Sequence, residues 1–337
     1  MRLRLGLVGL GDAWEKRHRP ALRALADRLE VRAVCDPVGH RAEMAASEFG
    51  ATSVDGFQAL VHREDIDALL LLSAGWYGPL PVLAACEAGK AVYLGSGWEL
   101  KPDDARKIKR RVEESGVACV AEFPRRQSPA TLRLKELIAT ALGAASLLFC
   151  HQRLPLTEKR PGCPSGPGPP SMLRELAELV DWCRYVVGSE PRWVTGMTRH
   201  RAGDGREEDY QMMSLDFSEG DKPGTGPVAQ ISCGRYIPAE WAEAVTYRPL
   251  AAMQISCDRG IAFVDLPASL VWFDGAGRHQ ESLENERPVG EQLLAQFHRV
   301  ATGPCANNAC GLDDAYRALS IVEQAGKSHR KGRRIAL

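Results

Sequence analysis

Met1-Arg-Leu-Arg-Leu-Gly-Leu-Val-Gly-Leu-Gly-Asp-Ala-Trp14 opens the chain, an apolar run that breaks on two glycines and gives way to a helix-forming segment. A strand ending in Gly-x-Gly ahead of a helix is the setting in which backbone closes on a diphosphate. Gly9 permits the tight turn, Gly11 lets the main chain reach the pyrophosphate, and the helix N-terminus beyond favours its negative charge. The residues expected to line that turn are Gly9, Leu10, Gly11, Asp12, Ala13 and Trp14. Trp14 takes the third place of the fingerprint, normally Gly or Ala, where a large ring prevents the usual close helix-to-strand packing. Either the turn is remodelled around it or binding is weakened.

The rhythm of that opening repeats downstream. Residues 3–8, 31–35, 68–72, 91–94 and 117–121 read as strands, with amphipathic helical patterns at 19–29, 40–49, 78–88 and 102–115 between them. Such alternation predicts an α/β, doubly wound parallel sheet, a Rossmann domain over residues 1–124. Asp36 ends the second strand, where an acidic residue accepts hydrogen bonds from the adenosine ribose hydroxyls. This favours NAD, and Arg41 close by keeps NADP open.

After about residue 125 the pattern changes. A helix at 131–142 and a strand at 145–150 lead into a Pro- and Gly-rich surface loop at 157–171, then a helix at 172–187. Strands at 192–196, 211–216, 228–233, 253–257, 261–265 and 270–273 follow with few helices between them. That order predicts a C-terminal α+β domain over residues 125–337 with an open, largely antiparallel sheet. Helices near 291–302 and 312–326 close the chain and are expected to pack back on the first domain.

Composition narrows the function. Among 337 residues, 43 Lys and Arg balance 43 Asp and Glu, so no long-range field draws nucleic acid or an anionic membrane. A small-molecule partner is expected instead. The opening apolar run is too short and too Gly-broken for a signal peptide, and no run reaches the length that spans a bilayer. The 10 Cys form no Cys-x-x-Cys pair and no zinc-like spacing with His, which argues against a metal site or a disulfide framework and for a reducing cytoplasm.

Several further runs carry a resemblance. They are Arg17-His18-Arg19-Pro20-Ala21-Leu22, Ile66-Asp67-Ala68, Glu87-Ala88-Gly89-Lys90-Ala91-Val92, Arg126 with Pro129 ahead of Leu134-Lys135-Glu136-Leu137, Gln296-Phe297, and Lys331-Gly332-Arg333-Arg334. In this order and spacing they resemble the glucose-fructose oxidoreductase, inositol dehydrogenase and rhizopine-catabolism family, Gfo/Idh/MocA, over nearly the whole chain. The resemblance implies a Rossmann domain followed by an open mixed sheet that forms the substrate wall and often the oligomer interface. It also implies hydride transfer between a nicotinamide and a sugar, an inositol or a related polyol, and homo-oligomerisation through the outer face of that sheet.

The chain departs from the family where the chemistry is done. Family members usually carry Glu-Lys-Pro after the fourth strand, the Lys acting on the reacting hydroxyl; here Gly95-Ser96-Gly97 follows, and Ser96 stands in place of the Lys. Lys101-Pro102 lies too far along to replace it. Where the family's helix offers an Asp and, four residues on, a His, this chain has Arg174 and Glu178, which with Asp181 form one polar stripe. Read as a site, Arg174 binds an anionic substrate group and Glu178 handles a proton. Read as plain structure, the two are a helix salt bridge. Ser73 and Ala74, where the family shows Thr-Pro-Asn, still suit a loop along the nicotinamide half, as does Gly95. Tyr77 and His151 are further candidates for a hydrogen-bond donor and a proton carrier.

The expectation is an NAD-dependent oxidoreductase, with NADP possible, acting on a sugar, inositol or related carbonyl compound with altered proton-transfer residues. Two alternatives stand beside it: a catalytically inactive dinucleotide-binding homologue serving as sensor or subunit, and an NAD-retaining lyase or glycosidase.

Overall fold

Apolar on both faces, Leu3–Val8 becomes the central strand β1 of a parallel sheet. The computed structural model describes residues 2–75, 77–95, 102–156, 172–201, 208–220, 222–241, 243–244, 247, 251–303 and 309–337. They fall into two compact units, Met1–Pro124 with Arg287–Arg317, and Arg125–Glu286 with Ala318–Leu337.

In the first unit β1 is followed by helix α1 (Arg19–Ala24), β2 (Leu29–Cys35), α2 (Gly39–Phe49), β3 (Thr52–Ser53), α3 (Phe57–Val61), β4 (Ala68–Leu71), α4 (Leu80–Glu87), β5 (Ala91–Leu94), α5 (Pro102–Ser115) and β6 (Cys119–Ala121). The strand Ala309–Cys310 joins them in the order Ala309–Cys310, β6, β5, β4, β1, β2, β3, with every ladder parallel. The Rossmann expectation therefore holds. The order reverses between β1 and β4, so the crevice for a ligand opens at the carboxyl ends of those two strands. Helix α5 shows why the helices form: only Ile108 and Val112, one turn apart, are buried, and Asp103 and Asp104 face the positive end of its dipole. Helix α1 stops at Ala24, short of the expected residue 29, because Leu29 is already paired with Leu3 in the sheet.

The second unit begins with helix α6 (Pro129–Leu137), started by Pro129 and by Ser128, whose Oγ accepts the Thr131 amide at 3.3 Å. The long strand β7 (Ala145–Leu156), helix α7 (Met172–Val187) and strands β8 (Trp193–His200), β9 (Glu208–Asp216), β10 (Val228–Pro238), β11 (Met253–Cys257), β12 (Gly260–Asp265), β13 (Ser269–Asp274) and β14 (Gly277–Ser282) follow. With Ile335–Ala336 these make a nine-stranded sheet, ordered β14, β13, β12, β11, β7, β10, β9, β8, Ile335–Ala336. Among the described residues only the β7–β10 ladder of this sheet is parallel. Helix α7 lies on one face, where Leu148, Cys150, Ile231 and Cys233 meet its buried Leu176, Leu179, Val180 and Cys183. On the other face Leu147, Phe149, Met197, Tyr236 and Phe273 are exposed. The short strands Thr52–Ser53 and Ile335–Ala336, and the polar strand β14, lie beyond what the sequence pattern announced. The expected loop at 157–171 lies outside the described residues.

Candidate dinucleotide site and the α7 charge network

Gly9 and Gly11 both adopt the left-handed region, φ +64° and +66°. A Cβ at Gly9 would meet the Ser73 carbonyl oxygen at 2.5 Å, and one at Gly11 would meet the Leu72 carbonyl oxygen at 2.9 Å. Conformation and space therefore both require glycine, and the turn after β1 lies directly against the end of β4. Ser73 and Ala74 thus adjoin the turn, Ala74 buried.

Trp14 remodels the start of the helix rather than the turn. Residues Trp14–His18 form one wide π-helical turn, with the His18 amide reaching back to Ala13 O at 3.2 Å, before α1 begins. The widened turn lets the indole, 4 % exposed, point into the core and pack edge-on against Phe49 with ring centres 6.0 Å apart. At the N-cap, Ala13 supplies no side-chain hydrogen bond. The donors of the first helical turn are thus not capped by their own side chains, which is what an anion at this end requires. The residues present fit the diphosphate of a dinucleotide.

Asp36 sits at the end of β2 beside that turn. Its Oδ2 accepts the Leu10 amide at 2.8 Å and its Oδ1 the Val38 amide at 2.9 Å. Each carboxylate oxygen keeps a second lone pair, so the group can still take ribose hydroxyls. Arg41 Nη2 donates to Gly11 O at 3.2 Å. A cavity of about 260 Å³ adjoins these groups, lined by Leu10, Trp14, Arg19, His40, Arg41 and Glu48 among others.

Gly95 closes β5, its amide donating to Leu71 O at 2.8 Å. Ser96 and Lys101 lie outside the described residues. Tyr77 packs its ring against Phe57 at 5.6 Å and places its hydroxyl 3.5 Å from Cys35 Sγ, and burial pushes its phenol pKa up.

In the second unit the Arg174–Glu178 pair belongs to a larger array. Arg174 Nε donates to Glu178 Oε1 at 3.1 Å, while Arg125 Nε lies 3.3 Å from Glu178 Oε2 and Arg125 Nη2 donates to Glu175 Oε2 at 2.8 Å. Arg126 Nε donates to Asp181 Oδ2 at 2.7 Å, and Arg184 bridges Asp181 and Glu190. Glu178 is 8 % exposed and Asp181 2 %. The stripe read from the sequence is therefore packed against Arg126, which the sequence reading named only among the runs carrying the resemblance, and Arg125, which it did not single out. Burial raises the Glu175 carboxyl pKa against the pull of Arg125.

His151 falls inside β7 rather than after a strand. It is on the face away from α7, with Nδ1 2.7 Å from Ser232 Oγ and Nε2 3.2 Å from Tyr236 Oη. Burial, helped by Arg153, lowers its pKa. Among the described residues no group of three or more His, Cys, Asp or Glu side chains is placed to hold a metal, and no helix is long and apolar enough to cross a membrane.

These features define a Rossmann domain and a second, sheet-based domain. Residues 3–123 match the model of the Gfo/Idh/MocA oxidoreductase family with NAD-binding Rossmann fold. It is 26% identical over 321 residues to the dTDP-3,4-didehydro-2,6-dideoxy-alpha-D-glucose 3-reductase of Streptomyces violaceoruber, covering 90% of this chain and 83% of the relative. It is 30% identical over 157 residues to inositol 2-dehydrogenase 3 of Saccharopolyspora erythraea, covering 46% of each. The fold matches an oxidoreductase of Thermotoga maritima with a TM-score of 0.80 at 17% identity, over 100% of this chain and 98% of that one. The aldose-aldose oxidoreductase of Caulobacter crescentus, crystallised with glycerol, matches with a TM-score of 0.80 at 16% identity over 100% of both chains.

Proposed function

We propose that this protein transfers hydride between a nicotinamide dinucleotide and a sugar, inositol or related polyol or carbonyl compound. The observation that carries the reading is the turn after β1: two positive-φ glycines, a helix start without a side-chain cap, and Asp36 braced against Leu10. NAD is the expected cofactor, with Asp36 toward its ribose, and Arg41 admits NADP. The bound nicotinamide supplies the hydride chemistry; the chain's own part is to orient substrate and manage a proton. Glu178, with Arg174 as its partner, is assigned the proton, since both stand where the family places its Asp and His. The names of the relatives support a sugar or polyol as substrate.

A second reading has its own support. Both oxygens of the Glu178 carboxylate are engaged by guanidinium groups, Oε1 by Arg174 and Oε2 by Arg125, an arrangement that a purely structural ion pair also satisfies. On that ground the chain is a dinucleotide-binding homologue without turnover. Calorimetry with NAD and NADP, followed by a turnover screen over inositols and aldoses, separates the two. Binding with turnover supports the oxidoreductase, binding without turnover the inactive homologue, and no binding sinks both.

The exposed face bearing Leu147, Phe149, Met197, Tyr236 and Phe273 is assigned to a second copy of the chain, because an apolar sheet face of this kind gains from burial. Light scattering that gives a monomer at high concentration removes that assignment. Cys35, Cys86, Cys119, Cys150, Cys183, Cys233 and Cys257 are buried free thiols, in keeping with the proposed reducing, cytoplasmic setting.

A further inference from the structure

Glu122 is 1 % exposed and is used by neither the glycine turn nor the α7 network. It directly follows β6 at the carboxyl edge of the parallel sheet, its amide donating to Leu94 O at 3.0 Å. Three side chains converge on its carboxylate. His18 Nε2 lies 2.8 Å from Oε2, the Tyr93 hydroxyl donates to the same oxygen at 2.8 Å, and the Arg17 guanidinium pairs with Oε1. Taking a carboxylate and its partners out of water costs several kcal/mol per ion, roughly what their attraction returns, so such a cluster gains little over a well-packed apolar one. Stability is a poor account of why it is there.

Gly95 points to a different account. A Cβ on Gly95 would lie 3.1 Å from Glu122 Oε2 and 3.4 Å from Leu71 O. Gly95, unlike Gly9 and Gly11, does not have a positive φ, so it is space rather than conformation that disfavours a side chain there, and the Glu122 carboxylate would have to shift by a few tenths of an ångström to admit one. Glu122 occupies the start of the volume that a residue at the end of β5 would fill. Its partners come from both sides of the crevice: Arg17 and His18 from the π turn that follows the glycine turn, and Tyr93 from β5.

In a sheet whose order reverses between β1 and β4, a dinucleotide lies across the carboxyl ends, its diphosphate at the β1 turn. Asp36 marks the β2 side for the adenosine, which leaves the ends of β4 and β5 for the nicotinamide half. The geometry points to Glu122 as a positioning residue for that half: its carboxylate, fixed by Arg17, His18 and Tyr93, stands in for a side chain at Gly95 and holds the end of β5 in register with the diphosphate turn. The inference rests on the dinucleotide reading above.

Binding tests it without turnover. NADH and ADP-ribose, with NADPH and 2′-phospho-ADP-ribose in parallel, are titrated against the wild type, Glu122→Gln, Glu122→Ala, Gly95→Ala and the Gly95→Ala/Glu122→Ala double variant. ADP-ribose carries the adenosine and diphosphate but no nicotinamide. Glu122→Gln and Glu122→Ala are expected to weaken NADH about tenfold while leaving ADP-ribose within about twofold, and the nicotinamide fluorescence of bound NADH shifts with them. Gly95→Ala is expected to match that loss alone and to add less than about twofold in the Glu122→Ala background, since the atom it crowds is gone. Glu122→Gln, nearly isosteric, and Gly95→Ala carry the test if Glu122→Ala does not fold. Equal weakening of NADH and ADP-ribose, or additive effects in the double variant, overturns the positioning role alone. A wild type that binds none of the four ligands overturns the dinucleotide reading and this inference together.

Discussion

Asp36 Oδ2 accepts the Leu10 amide at 2.8 Å, so the carboxylate ending β2 holds the glycine turn ending β1 from its side. The residue read from the sequence as a ribose acceptor braces the glycine turn, and the proposed role and the observed one are separable by substitution.

Asp36→Ala removes a charged acceptor from both Leu10 and Val38, at an expected cost of about 2 kcal/mol in chemical unfolding. Because the turn loosens, NADH and NADPH should both bind less well, and Asp36→Asn should recover part of the loss by keeping one acceptor oxygen. Unchanged stability with a loss confined to NADH would assign the carboxylate to the ribose alone.

Trp14→Ala restores the small residue the fingerprint prefers but empties a site in the core against Phe49. The cavity should cost about 4 kcal/mol in urea unfolding. Dinucleotide affinity, measured on the folded fraction, should stay within about threefold, because the indole, though it lines the cavity beside the turn, is buried against Phe49 and presents little surface to a ligand. A tenfold or greater gain in affinity would mean that the ring had been obstructing the site.

The sheet of the first unit was legible because its strands are apolar on both faces, as Leu3–Val8 and Ala68–Leu71 show, and because glycine turns punctuate them. Helix α7 was legible from its apolar stripe. Strand β14, Gly-Arg-His-Gln-Glu-Ser, was not, since an edge strand with exposed polar side chains is specified by its pairing with β13 and not by its own pattern. The candidate site was half legible. Gly9, Gly11 and Asp36 carry local signals, whereas the convergence of Arg17, His18, Tyr93 and Glu122 joins positions up to 105 apart in the numbering, and no periodicity reports such a meeting.

Acid should unfold the first unit partly through Asp67. Arg4 donates to it from Nε at 2.9 Å, from Nη2 at 2.6 Å and from its backbone amide at 2.9 Å, and the side-chain hydrogen bonding foremost holds its pKa below the usual carboxylate value. A folded value below the unfolded one gives a contribution that is complete above the unfolded pKa of about 3.9 and is lost as pH falls through the folded value. Asp67→Asn should therefore lower the Tm at pH 7 and make little difference near pH 2. A larger effect at the acid end reverses the sign and contradicts the assignment.

Glu178 is where the two functional readings part. Glu178→Ala leaves Arg125, buried beside it, with Glu175 as its remaining partner in the pair, and should destabilise the second unit by about 3 kcal/mol. Glu178→Gln keeps the volume and one acceptor oxygen but not the charge, and turns an amide NH2 toward one arginine, so its melting temperature should fall by less than that of Glu178→Ala while the acid is gone. With a substrate from the inositol and aldose screen, turnover of Glu178→Gln should fall on the order of 10²-fold with KM little changed, the mark of a group that handles a proton in the transition state. Unaltered turnover beside a lowered stability in Glu178→Ala would confine this carboxylate to holding Arg125 and Arg174 in place, and proton transfer would have to come from elsewhere in the chain or from water.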